Sequence, residues 1–284
     1  MIRLDAATVL LQWATGGLLF LWVTTRRRQV SLGYGWLLRG TYLIMAAGAL
    51  VTGLRYGEAV PVRDLASAAV VAAAGGALVV SVQRRRAGVR GDRERTEERS
   101  ARVAQMTGIE RHRDEVDEAA AEFPPALDLL APVLGLVGLV AAGAAAGDPA
   151  LLSIARAVVG AAFLGAVTDA MLLGHWYLVQ PGMPRGPLLE LVRWLGALWP
   201  FEVLVLLWPT GMVSVITGEV DDGYNGILGW MWIACAVTTI ALVVVTRAAL
   251  KERQYSAVMA ATGLLYLAIL TAFGTDLVAR AVLA

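Results

Sequence analysis

The sequence predicts an all-α, polytopic helical membrane protein with about eight transmembrane helices and a charged cytoplasmic arm after the third. Three observations predict it. Of 284 residues, 58% are hydrophobic and the mean hydropathy is +0.65, spread over apolar runs of roughly 20 residues, the length that crosses a bilayer as a helix. One stretch, 83–123, has the opposite character, with ten arginines and ten acids. Most of the remaining charges are segregated to the ends of the apolar runs.

The first span runs from about Asp5 to Thr24 and stops at Arg26, Arg27 and Arg28. With Arg3 as a lone preceding charge and no A-x-A-like site, no cleaved signal is expected, and this segment stays as a membrane helix. A Ser-Leu-Gly-Tyr-Gly turn leads to the second span, about Gly35 to Leu54; Gly57 and Pro61 mark the next loop. The third, about Asp64 to Val82, ends at Arg84, Arg85 and Arg86. The arm then has the Glu/Arg/Ala content of a solvated, partly helical segment with i,i+4 pairs. The fourth span follows Pro124 and Pro125, and carries the small-residue face Gly143 to Gly147 that lets a neighbour approach closely. The fifth runs from about Leu151 to Leu178, and the sixth, after a Pro181–Pro184 turn, from about Leu188 to Pro209. An acidic loop (Glu219, Asp221, Asp222) precedes the seventh, about Ile227 to Val245; the eighth is about Ala257 to Ala281. The chain thus divides into 1–82, 83–123 and 124–284.

Charge bias orients the spans. With the Arg26–Arg28 loop in the cytoplasm, alternation places 17 Lys/Arg on that side against Arg3, Arg55, Arg63 and Arg280 on the other. The positive-inside rule then predicts a bacterial cytoplasmic (inner) membrane protein with both termini outside. Three spans before the arm and five after it are compatible with an inverted repeat, but no sequence repeat is visible.

The stretch from Thr168 to Pro209 concentrates the chemistry. Charges at membrane depth cost a few kcal/mol each, so they pair or mark a site. At 1.5 Å per residue, Asp169 and Arg193 fall ~7 and ~10 Å to the cytoplasmic side of the midplane, close enough to meet across the fifth and sixth spans. Ala161, Gly165 and Asp169 share the face that would admit such a pair. Glu190 lies one turn from Arg193, near the depth of His175. Glu202 is central, two residues beyond helix-interrupting Pro200, and reads either as a proton-carrying or cation-binding acid or as a carboxyl hydrogen-bonded to a neighbouring helix. His175, Trp176 and Tyr177 form an interfacial cluster that suits an aromatic belt or a cofactor contact, quinone or haem. The only other histidine, His112, is in the arm, so membrane helices of one chain cannot supply two haem-ligating histidines. Asp276 and Arg280 read as a local i,i+4 salt bridge, and Arg156 as a side chain snorkelling to the outer interface.

Several classes are disfavoured. The single cysteine, Cys235, excludes an internal disulfide or CxxC centre. No H-E-x-x-H, G-x-S-x-G or P-loop is present, so an enzyme is the less favoured class. No metal site and no nucleic-acid partner are expected. The favoured reading is a small transporter or small-ligand-binding protein with a site between the fifth and sixth spans, using Asp169, Glu190, Arg193 and Glu202. The alternatives are a redox-linked protein contacting a cofactor through His175, or a scaffold whose 83–123 arm binds another membrane or cytoplasmic protein.

Overall fold

The computed structural model describes residues 5–107, 121–180, 182–208 and 211–283, with side chains at all of these but 99, 102–104 and 107. Arg3, His112, Pro181 and Pro209 lie outside the described residues. All regular structure among them is helical: α1 (Ala6–Thr25), α2 (Leu32–Arg55), α3 (Pro61–Gln83), α4 (Arg90–Thr107), α5 (Leu130–Ala145), α6 (Ala150–Val179), α7 (Gly186–Leu207), the short α8 (Met212–Ile216), α9 (Ile227–Ala249) and α10 (Tyr255–Val282). Seven segments are long and apolar enough to cross a membrane. The exception among the eight expected spans is α7: it has 22 residues, but Glu190, Arg193 and Glu202 interrupt its apolar surface.

Local chemistry sets the ends. The Asp5 carboxylate accepts the backbone N–H groups of Ala7 and Thr8 at 3.3 and 3.1 Å, capping α1. Pro61 starts α3 at a position whose N–H would have no intrahelical partner. Asp222 folds its carboxylate over the start of α9, accepting from Tyr224, Gly226 and Leu228 at 2.8 to 2.9 Å. Helix α7 continues through Pro200, which removes one backbone hydrogen bond without ending it.

The long helices form two rings of four. In one, α1 packs on α2, α2 on α3, α3 on α5 and α5 on α1; in the other, α6, α7, α9 and α10 close in the same way. The division is therefore four and four, because α5 crosses the arm to join α1–α3. The rings meet where α1 lies on α6. At Gly16 an added Cβ would fall on the Ala161 carbonyl, and at Gly165 on the backbone of Gly16. The Ala161/Gly165 face expected to receive the sixth span receives α1 instead. Gly143 serves similarly, since its Cβ would come within 2.6 Å of the Ile154 Cα. Ile44, Leu65, Phe201 and Leu270 are among the large apolar side chains exposed on the outside, a surface compatible with hydrocarbon.

The arm is fastened at both of its described ends. Where it leaves, Gly91 donates to the Arg28 carbonyl at 3.1 Å and Asp92 accepts from Gln180 at 3.1 Å. Where it returns, Glu122 accepts from Arg28 at 2.8 Å and pairs with Arg93. Beyond it, Arg39 forks onto both oxygens of Asp128 at 2.8 Å, with the Phe123 ring 4.2 Å from the guanidinium. Within α4 the expected i,i+4 pairing occurs between Arg90 and Glu94 at 2.8 Å.

Candidate functional site

A buried polar cluster joins four helices at the end of the bundle opposite the arm. Helix α10 places Asp276 and Arg280 one turn apart, where the Arg280 Nε donates to Asp276 Oδ2 at 2.7 Å. Arg280 also donates to the Gln12 amide oxygen on α1, and the Gln12 amide nitrogen donates to Asp276 Oδ1 at 3.4 Å. Gly160 on α6 makes room for this contact: its Cβ would lie 2.9 Å from Asp276 Oδ1 and collide with the Gln12 amide. One turn away, Arg156 donates to the carbonyls of Val205 and Trp208 at 2.8 and 3.0 Å. Those carbonyls close α7, where helical partners run out and the dipole favours a cation.

Glu202 enters this cluster from α7, fully buried, with Asp276 and Arg280 as the charged groups acting on it. The Asp276 carboxyl approaches it, yet neither Glu202 oxygen completes a hydrogen bond of regular geometry among the described residues. A buried carboxyl without a partner is costly. It favours a bound proton or a ligand group that supplies the missing donor.

Above the cluster lies a cavity of about 790 Å3, whose lining includes Asp5, Thr8, Glu58, Arg63, Ser153 and Arg280. Arg63 is engaged by Asp5 at 2.5 Å, Asp64 at 2.9 Å and the Glu58 carbonyl at 3.1 Å. Arg280 belongs to both the cavity and the buried cluster, so a group entering the cavity reaches Asp276 and Gln12 through one side chain. The expected i,i+4 salt bridge between Asp276 and Arg280 is present, fully buried, and Gln12 extends it to α1. One expectation is corrected here. Arg156 does not snorkel; it is buried and ties α6 to α7.

The remaining candidates do not gather at one site. Asp169 is fully buried and accepts from the Tyr42 hydroxyl of α2, while Tyr34 donates to its backbone carbonyl at 3.3 Å; its Oδ2 has no partner among the described residues. It does not meet Arg193. The inward face of α6 at that level is taken by α1 and Tyr42, and Arg193 points outward from α7. Glu190 pairs with Arg26 and with Arg27, the latter at 3.3 Å, at the end of α1.

His175, Trp176 and Tyr177 diverge as well. His175 is exposed, with Nδ1 3.0 Å from the Tyr266 hydroxyl. Trp176 donates to Ser31 at 3.0 Å, and Tyr177 donates to the Pro184 carbonyl. Their side chains turn to three separate partners rather than to one another. Among the described residues, no group of three or more His, Cys, Asp or Glu is placed to hold a metal ion.

Gln12, Tyr42, Arg39 and Asp128 were not singled out from the sequence. One signal was available: Asp5, Thr8, Gln12 and Thr15 recur at helical spacing along α1, a polar stripe in an apolar helix. No protein-family model, curated protein or solved structure matches the chain.

Proposed function

We propose that the chain is a multi-pass inner-membrane protein, with both termini outside, that binds a small polar solute in the Arg280-floored cavity and moves it with a proton carried by Glu202. The observation that carries this reading is the fully buried Glu202 carboxyl beside Asp276 and Arg280, whose oxygens complete no hydrogen bond of regular geometry among the described residues; Arg280 is the residue that the cavity and the cluster share. Intramembrane carboxyls of this kind suit a proton relay. The Pro200 interruption two residues away and the meeting of two four-helix rings suit a site whose halves shift relative to each other. The site therefore draws on α1, α6, α7 and α10, a wider set than the interface of α6 and α7 alone. The arginine clusters Arg26–Arg28 and Arg84–Arg86, on the end opposite the cavity, support an outward-facing cavity.

The test uses full-length protein in proteoliposomes loaded with a pH-sensitive dye. Vesicles are challenged with a panel of amino acids, short carboxylates and polyols. Solute-dependent internal acidification, abolished in Glu202→Gln and retained in Glu190→Gln, is the expected result. No solute-linked proton movement from folded wild-type protein across the panel overturns the reading.

A further inference from the structure

We propose that the groove between the arm end of α1 and the first turns of α7 holds the phosphate headgroup of an anionic phospholipid, with an acyl chain lying along α7. Charge is the first observation. Arg26 and Arg27 share one nearly buried carboxylate, Glu190, and Arg193, one turn further along α7, lines the same depression as Glu190. Arg193 is exposed and has no ion-pair partner among the described residues. Three guanidiniums against one carboxylate leave an excess of positive charge, and planar guanidinium forks suit phosphate oxygens.

Shape is the second. Glu190, Arg193, Trp194 and Ala197 line an open depression of about 280 Å3. Arg26 lies 5.1 Å from the Trp22 ring, and Trp194 stands edge-on to Phe20 at 6.2 Å. Tryptophans beside arginines mark the depth at which headgroups meet hydrocarbon. Arg193, seven residues into α7, is ~10 Å along its axis. This is a depth a side chain reaching toward the headgroup layer spans readily.

The third observation chooses a lipid over a free anion. Below Arg193, the exposed positions are Trp194, Ala197, Pro200, Phe201 and Leu204 of α7 and Trp208 just past its end, which recur at helical spacing as one stripe. A soluble phosphate would use the arginines and make no contact with this stripe. A phospholipid uses both, with its headgroup on Arg27 and Arg193 and its chain against Trp194, Phe201 and Leu204. Basic pockets between helices near the cytoplasmic surface are the usual setting for anionic headgroups.

The experiment is native mass spectrometry of the full-length protein in detergent, equilibrated with phosphatidylglycerol or with phosphatidylcholine at equal concentration. Wild type is expected to retain phosphatidylglycerol selectively. Arg27→Gln/Arg193→Gln, two exposed positions, is expected to bind it about 30-fold more weakly, whereas Arg193→Lys keeps most of the binding and Trp194→Ala loses part of it. Equal retention of phosphatidylcholine, undiminished phosphatidylglycerol binding by the double variant, or displacement of the lipid by millimolar inorganic phosphate alone each overturns the proposal.

Discussion

Arg39 grips Asp128 through two parallel hydrogen bonds of 2.8 Å, with the two side chains no more than 2% and 1% exposed. The pair sits where the chain returns from the arm, and Thr25 adds a third bond to the carboxylate at 3.1 Å. Removing one partner of a buried pair strands the other charge, a loss of about 3–5 kcal/mol. Asp128→Ala is therefore expected to lower the unfolding temperature in detergent sharply. Arg39→Met/Asp128→Leu, which removes both charges, recovers most of the loss. A double variant no more stable than the single one would show that the pair is not the fastening.

Tyr42 is the side-chain partner that Asp169 retains inside the bundle. Tyr42→Phe leaves both carboxyl oxygens without a donor, a loss of about 1–3 kcal/mol for an unsatisfied buried group. Adding Asp169→Val to that variant removes the stranded group and is expected to restore part of the stability. Thermal unfolding of the two single variants and the double variant measures the coupling directly.

The α1–α6 crossing has no room for a methyl group. Gly165→Ala must push the Gly16 backbone away, with an expected cost of about 1–3 kcal/mol from overpacking. Gly76→Ala meets nothing within 4 Å on the exposed side of α3, so it is expected to be neutral or mildly stabilising. Equal thermal shifts for the two variants would contradict the crossing.

Acid stability should report on Asp222. Desolvation pushes its carboxyl up, but backbone N–H groups of Gly226, Tyr224, Leu228 and Gly229 together hold it below the ordinary value of 3.8. A carboxyl whose folded value is depressed contributes stability that is complete above its unfolded value and lost as pH falls through the folded one. The gap in unfolding temperature between wild type and Asp222→Ala is therefore expected to be constant near neutrality and to close only below the usual aspartate range. A gap that persists unchanged at the lowest pH that the fold tolerates would assign the effect to something other than the carboxylate.

Much of the helical layout was legible because each long helix is bounded by an unambiguous chemical change. Arg26–Arg28, Arg84–Arg86, Pro124–Pro125 and Pro149 each mark an end within a few residues of where the helix stops or starts. The partners of the buried charges were not legible. Asp169 and Arg193 share a depth, which linear rise along a helix predicts, but a pair also needs shared azimuth. Azimuth is decided by which helix Gly165 admits, and that helix is α1. The same limit hid the Gln12–Asp276 contact. The polar stripe on α1 was written in the sequence, whereas its destination on α10 depends on how the two rings close. The five-residue α8 carries too few residues for a periodic signal.

The Gln12 amide and its partners on α10 are 264 and 268 residues apart in the chain. During synthesis, α1 reaches the bilayer long before Asp276 and Arg280 exist. Until then its amide faces lipid or the insertion machinery with no permanent acceptor or donor. The packing of α1 on α2, α5 and α6 can form as those helices appear, whereas the polar contact at Gln12 waits for the last helix of the chain.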